Sequence, residues 1–209
     1  TTRDLAFSIA PRLNAAGRLQ DMSIGIECLL ADEVRALELA EHLDALNNER
    51  KEIETDMRDM ALAHLKQLSL DEETAAGLCF YRPDWHQGVV GIVASKIKEK
   101  SHRPVIACAP AGGGELKGSG RSVAGFHLRD ALDAIATRHP GLLLKFGGHA
   151  MAAGLSLFEA DYERFREAFD QEVRRTLGEA RIEQVVMSDG EMAEPVTVDL
   201  AKQIERAAP

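Results

Sequence analysis

The spacing of apolar residues predicts one long helix in the first third of the chain. From Glu33 to about Leu68 neither glycine nor proline occurs, and Asp32 is placed to cap the helix start. A one-sided stripe recurs in alternating steps of four and three residues. Its positions are Leu39, Leu43, Leu46, Arg50, Ile53, Met57, Met60 and His64, so Arg50 and His64 interrupt it. About 36 residues of helix would measure roughly 54 Å, which favours a connector between two lobes. A coiled-coil dimer is the alternative for this segment.

After this helix, the pattern changes to alternating strands and helices. Strands are predicted at 77–82, 104–109, 115–122, 142–145 and 152–157, and helices at 88–100, 127–139 and 161–177. This alternation predicts an α/β domain of about 100 residues. Before the long helix, residues 1–22 are predicted to be rich in loops, and Ser23 caps a short helix at 24–30. A further strand at 182–187 would begin another domain.

Composition describes a globular protein with a hydrophobic core and free thiols. The chain has 209 residues and is 45% hydrophobic, and no apolar run approaches the ~18 residues of a membrane span. Cys28, Cys79 and Cys108 lie far apart in apolar surroundings, so we expect buried thiols in a reducing cytoplasm rather than a zinc site. Because the chain opens on Thr-Thr-Arg and not on Met, we expect it to be part of a longer protein.

Charge is concentrated unevenly along the chain. The net charge is −9, yet residues 77–156 carry 10 basic and 5 acidic side chains, a local net of +5. Lys117, Arg121 and Lys145 of this segment lie beside glycines, and the segment holds five of the seven histidines: His86, His102, His127, His139 and His149. A local positive surface on an acidic protein indicates a groove for a specific polyanion.

Three glycine-containing segments in this basic region have the chemistry of phosphate loops. They are WHQGVVG at 85–91, GSGRS at 118–122 and FGGHAMAAG at 146–154. Glycines allow close backbone approach, imidazole and hydroxyl groups donate, and a guanidinium binds phosphate bidentately. Each segment alone is also compatible with a capped helix, a β-bulge or a tight turn. Their combination favours phosphate binding by His86, Ser119, Arg121, Ser122, Gly147, Gly148 and His149.

In the same order, HxGVVGIVASK, KGSGRS and FGGHAMAAG resemble the DHHA1 domain of the DHH phosphoesterase superfamily. The sequence PRLNAAGRL at 11–19, followed by the long helix, is similar to that superfamily's single-strand-specific DNA exonucleases. The resemblance implies an α/β fold, with a DHHA1-type mixed sheet flanked by helices and preceded by a long connector helix. It also implies four units: the end of the DHH catalytic domain (1–31), the connector (32–70), the DHHA1 substrate-binding domain (71–180) and the start of an OB-fold-containing domain (181–209).

The function implied by this resemblance is metal-dependent 5′→3′ hydrolysis of single-stranded DNA in repair and recombination. This chain would supply the phosphate-binding half of the cleft, with Asn14 and Arg18 near the nuclease centre. No DHH triplet occurs, so we expect Mn²⁺ or Mg²⁺ to be bound by a preceding domain. We accordingly expect no catalytic residue and no metal ligand in this chain, which by itself would be inactive. Expected partners are single-stranded DNA, single-strand-binding protein and a RecQ-type helicase; no membrane is involved.

Two other functions remain open at this point. The first is a phosphodiesterase of the same superfamily that acts on short oligonucleotides or cyclic dinucleotides, which activity on a dinucleotide but not on a long strand would favour. The second is a non-catalytic nucleic-acid-binding module, as in alanyl-tRNA synthetase, whose C-terminal domain is related to DHHA1. A preference for tRNA over single-stranded DNA would favour that module.

Overall fold

A computed structural model describes residues 1–67, 75–178, 190 and 197–207. The first 67 residues form α1 (Thr2–Asp4), a π-helical stretch (Leu5–Ile9), α2 (Ala10–Leu19), α3 (Ser23–Leu30) and α4 (Glu33–Gln67).

The prediction that residues 1–22 are rich in loops is wrong. Pro11 lies in the first turn of α2, where its missing N–H costs no helical hydrogen bond. Ala15 and Ala16 are fully buried beneath α4 and pack against Leu43 and Leu46. Burial of this small-residue face stabilises a helix in a sequence whose glycine and asparagine favour a loop.

The predicted stripe of α4 is buried within the chain itself. Leu39, Leu43 and Leu46 are buried in its first half, which contacts α2 and α3. Met57 is buried in its second half, in a cluster with Trp85 and residues of a later helix. Between them, Arg50 pairs with Glu54 at 3.0 Å through Nη1 and donates to Asn47 through Nη2, while its buried Nε has no partner among the described residues. The side chain of His64 lies outside the described part.

Within the described residues from 75 onward, the chain forms a five-stranded mixed sheet with helices beside it, which confirms the α/β class. Its strands are β1 (Leu78–Tyr81), β2 (Val105–Gly112), β3 (Glu115–Arg121), β4 (Lys145–Gly148) and β5 (Ala152–Phe158), in the order β1-β2-β3-β5-β4. Only β1 and β2 are parallel; the other neighbours are antiparallel. The helices are α5 (Val90–Ser101), α6 (Leu128–Arg138), α7 (Tyr162–Leu177) and α8 (Val198–Ala207), and a 3₁₀ turn at Glu159–Asp161 precedes α7.

One predicted strand is displaced in the structure, and another lies outside the described residues. The fourth strand was expected at 142–145, but it spans Lys145–Gly148, because both glycines pair with β5. Leu142 instead belongs to the core beneath the sheet. The strand predicted at 182–187 lies outside the described residues.

The two faces of the sheet are covered to different extents. On one face, α6 and α7 bury Leu116, Leu155 and Leu157 in a large core. On the other face, α5 lies over β2 and β3, and Val93 and Ile97 are buried in a second core with side chains of β1 and β2. Among the described residues, this second core includes no side chain from β3, β4 or β5. The second face is therefore partly covered by α5 at β3 and left open over β4 and β5, where Gly147 and Gly154 are exposed.

Two features bear on the environment of the protein. Within the described residues, no helix is both long and apolar enough to cross a membrane. Cys28, Cys79 and Cys108 are free thiols, and burial raises the pKa of Cys108 to about 12. The buried thiol is thus held in its protonated form.

Candidate nucleic-acid interface

The open face carries a groove of about 390 Å³ that lies between the loop before α5 and strand β4. Side chains of a strand alternate between faces, so one face of β3 presents Lys117, Ser119 and Arg121. Ser119 is paired with Gly154, and Gly154 is paired in turn with Gly147 of β4. This row has almost no side-chain bulk, so a ligand can approach the backbone closely.

Arg121 lies where the groove meets the start of α5. Its Nε donates to Ser95 Oγ at 3.1 Å, and its Nη1 donates to Ser119 Oγ at 3.0 Å and to the Gly120 carbonyl at 2.8 Å. A Cβ on Gly91 would be only 3.0 Å from Nη2 of Arg121. Glycine at the second residue of α5 therefore lets the guanidinium lie against the helix N-terminus.

Arg18 reaches the same place from α2. Its Nη1 donates to the Gly88 carbonyl at 3.2 Å. The two backbones also touch, since a Cβ on Gly88 would lie 2.1 Å from the carbonyl oxygen of Arg18. The end of α2 is thus packed directly on the loop before α5.

These positive groups act on one another. Partial burial lowers the pKa of Arg121 below its ordinary value, and the charge of Arg18 lowers it further. The N-terminus of α5 adds a partial positive charge to the same region. An anion bound here would relieve this repulsion, so the site favours a negatively charged ligand.

The groove also lacks acidic partners for its cations. Within the described part of the chain, Arg18, Lys117, Arg121 and Lys145 make no ion pair. Several exposed arginines elsewhere are paired, as Arg12–Asp44, Arg35–Glu27 and Arg82–Asp84 are. In a chain of net charge −9, four cations without acidic partners around one groove indicate a polyanion site.

The two histidines of the predicted site are placed differently. His86 is half-buried, and its Nδ1 accepts from the Gly88 amide at 3.1 Å. In the neutral ring the proton is therefore on Nε2, which can donate to a ligand. His149 is exposed in the 149–151 loop between β4 and β5. Because Ala152, just after this loop, pairs with Arg121, the loop lies at the Arg121 end of the sheet.

The two adjacent glycines have separate roles. Gly148 has φ +140°, and a Cβ there would lie 2.4 Å from the Ala152 carbonyl oxygen, so the hairpin requires glycine. Gly147 is exposed, and a Cβ there would meet nothing within 4 Å. Gly148 thus shapes the hairpin, while Gly147 leaves the groove open.

Two other predicted site residues lie outside the groove. Ser122 is 1% exposed, and its hydroxyl donates to the Phe126 carbonyl at 2.6 Å. The structure corrects the expectation that it assists a phosphate, because this hydroxyl closes a buried turn. Asn14 is exposed one helical turn before Arg18 and on the same face of α2.

The sequence placed Lys117 and Lys145 beside glycines of the basic segment, but they were not among the predicted phosphate-binding residues. Lys117 and Lys145 stand on either side of Ser156 in one cross-strand row. The alternation in KGSGR places Lys117 on the same face as Arg121, and this signal is readable from the sequence. The pairing of Lys145 with Ser156 required the hairpin register.

The described residues do not fit a divalent metal. No three His, Cys, Asp or Glu side chains in that part of the chain lie close enough together to hold an ion. The chemistry of this site is consequently that of cations, hydroxyls and backbone amides.

Residues 74–175 match the family model of the DHHA1 domain. The single-stranded-DNA-specific exonuclease RecJ of Dickeya dadantii is 57% identical in an alignment of 209 positions, which covers 99% of this chain and 36% of that protein. The chain therefore spans about a third of the length of this relative.

Two solved structures are also similar. A crystal structure of RecJ from Thermus thermophilus in complex with Mg²⁺ is 35% identical with a TM-score of 0.69, covering 82% of this chain and 26% of the other. A crystal structure of exonuclease RecJ bound to manganese is 34% identical with a TM-score of 0.71, covering 87% and 44%.

Proposed function

Because the chain belongs to the RecJ family and carries a DHHA1 domain at residues 74–175, we propose that it is the nucleic-acid-binding part of a single-strand-specific DNA exonuclease. The observation that supports this function is the groove of unpaired cations at the N-terminus of α5. A 5′→3′ polarity and a role in repair and recombination belong to the same proposal.

The proposed ligand of this groove is the phosphate backbone. Arg121 and Arg18 neutralise one phosphate, with Ser119 oriented by Arg121 and the amides of α5 beside it. His86 Nε2 and His149 donate around the same end of the groove, and the bare Gly147, whose amide belongs to the β4–β5 ladder, lets the nucleic-acid strand approach the backbone. None of these groups reads a base edge, so binding is independent of sequence.

We further propose that the divalent metal is held by residues outside this chain. The RecJ relatives with Mg²⁺ or manganese support a metal in the complete protein. Residues 1–31 would then belong to the metal-binding domain. Their exposed apolar side chains support this, since Leu5, Phe7 and Leu30 are 60%, 77% and 81% exposed.

The other domain limits and partners are proposals that follow from the family resemblance. Residues 32–70 would be the connector, 71–180 the substrate-binding domain and 181–209 the start of an OB-fold-containing domain. Single-strand-binding protein and a RecQ-type helicase remain predicted partners. A cytoplasmic location is compatible with three free thiols.

The nuclease proposal is tested by mutation in a full-length protein that carries this chain. Arg121→Ala and His149→Ala should each reduce hydrolysis of a labelled single strand sharply. The melting temperature should stay unchanged in His149→Ala, whereas Arg121→Ala also loses the hydrogen bonds to Ser95 and Ser119. Arg164→Ala is the matched control, because Arg164 is an exposed arginine of α7 that pairs with Asp161. Normal turnover in both site variants would refute the assignment.

A further inference from the structure

A second set of cations lies farther along the groove. Lys145 pairs with Ser156, and Ser156 pairs with Lys117 on its other side. Neighbouring strands are ~4.8 Å apart, so the Cα atoms of the two lysines are about 10 Å apart with Ser156 between them. Both lysines are exposed and line the groove. Their side chains are long enough for both ammonium groups to meet one ligand above Ser156.

Neither of these lysines is neutralised by an ion pair. Among the described residues neither makes one, whereas Lys96 on α5 pairs with Glu99 at 3.7 Å. Glu115 lies two residues before Lys117 on the same face of β3, but it forms no ion pair with either lysine. Two like charges that flank one small hydroxyl residue repel each other, and a shared anion would offset that repulsion.

This second position is separate from the one at Arg121. Lys117 precedes Arg121 by four residues on one strand, so their Cα atoms are roughly 13 Å apart at 3.3 Å per residue. The guanidinium of Arg121 is held by Ser95, Ser119 and the Gly120 carbonyl, so it is not free to follow a phosphate bound between the two lysines. The floor between them consists of Ser119 and the paired Gly154 and Gly147, which leaves a passage for an extended backbone.

We propose that Lys117, Lys145 and Ser156 bind a second phosphate of the same strand, farther from Arg121. This inference rests on the proposed function and adds a substrate preference to it. A dinucleotide would occupy the Arg121 position without reaching the second one. A longer single strand would occupy both, so the groove itself selects oligonucleotides over dinucleotides.

The test compares two ligand lengths in the 209-residue chain. Binding of fluorescent oligothymidylates is measured by anisotropy across a salt series, with a dinucleotide and with a strand long enough to span the groove. In Lys117→Ala/Lys145→Ala, the salt slope for the long strand should fall by about 0.7, because the contact with one phosphate is lost. Dinucleotide binding should stay unchanged. Lys98→Ala/Lys100→Ala on α5, where Lys98 is half-buried and Lys100 is exposed, is the matched control.

The outcomes separate this inference from the function on which it rests. If the double variant binds the long strand normally while Arg121→Ala weakens both ligands, the second position is refuted and the proposed function stands. Equal weakening of both ligands by the double variant would also refute a separate second position. If Arg121→Ala changes neither ligand, the phosphate site itself is refuted.

Discussion

The contact between α2 and the loop before α5 can be tested by one added methyl group. In Gly88→Ala, the new Cβ would lie 2.1 Å from the Arg18 carbonyl oxygen and 2.9 Å from its carbonyl carbon. An ordinary carbon–oxygen contact is about 3.3 Å, so one backbone must move by roughly 1.2 Å. No rotamer change can relieve this clash, because the atoms that collide belong to the main chain.

We expect this movement to reduce both stability and binding. Overpacking of this kind costs about 1–3 kcal/mol. For a chain of this size, each kcal/mol lowers the melting temperature by about 2–4 °C. Moving α2 away also separates Arg18 from Gly88 and Arg121, so affinity for single-stranded DNA should fall.

Circular dichroism during heating measures the change in stability, and fluorescence anisotropy measures the change in affinity for single-stranded DNA. Gly147→Ala is the matched control, since a Cβ at that position meets nothing within 4 Å. The melting temperature of this control should equal that of the unsubstituted chain. If Gly88→Ala also melted and bound DNA like the unsubstituted chain, α2 would not be packed on this loop.

Three further predictions concern the hairpin, the core and the guanidinium. Gly148→Ala should lower the melting temperature, because φ is +140° and its Cβ would lie 2.4 Å from the Ala152 carbonyl oxygen; an unchanged melting curve would contradict this hairpin geometry. Burial alone would raise the pKa of Glu172, but hydrogen bonds from Arg138 and Arg175 outweigh it and hold the pKa below the ordinary 4.5. The stabilisation by this carboxylate is therefore complete above pH 4.5 and is lost as pH falls through the lower folded-state pKa. Glu172→Gln should be less stable at pH 7 by about 1–3 kcal/mol in urea unfolding, with a smaller difference at pH 3; an equal loss at both pH values would show that the charge is not responsible. Arg121→Lys should weaken DNA binding but keep the salt slope, since lysine keeps the charge and loses the bidentate fork; unchanged affinity would mean that charge alone suffices.

Much of the fold could be predicted from local patterns. The strands and helices after residue 75 follow hydrophobic periods of two and 3.6, and all five strands were expected near their observed positions. The α2 helix was missed because its stability comes from Ala15 and Ala16 packing beneath α4, a contact that no local pattern reveals. Strand β4 was shifted because glycines in a strand resemble a turn until their partners on β5 are known.

For the candidate site, the sequence predicted the types of residue but not their arrangement in space. Arg121 and Ser119 were found because the alternation of glycine, serine and arginine has an evident phosphate chemistry. The meeting of Arg18 with Gly88 joins residues that are 70 positions apart. The row that joins Lys117 to Lys145 depends on strand register, and the buried bond of the Ser122 hydroxyl depends on the following turn. Tertiary structure was needed for all three.

The central claim is that Arg121 and its neighbours bind the phosphate backbone of a single strand. Its most direct test is the affinity of the 209-residue chain for a short single-stranded oligonucleotide across a salt series, with duplex DNA and Arg121→Ala as comparisons. The account predicts salt-sensitive binding that favours the single strand and is weakened by Arg121→Ala, with a salt slope shallower by about 0.7. Equal binding by Arg121→Ala, with an unchanged salt slope, would contradict it.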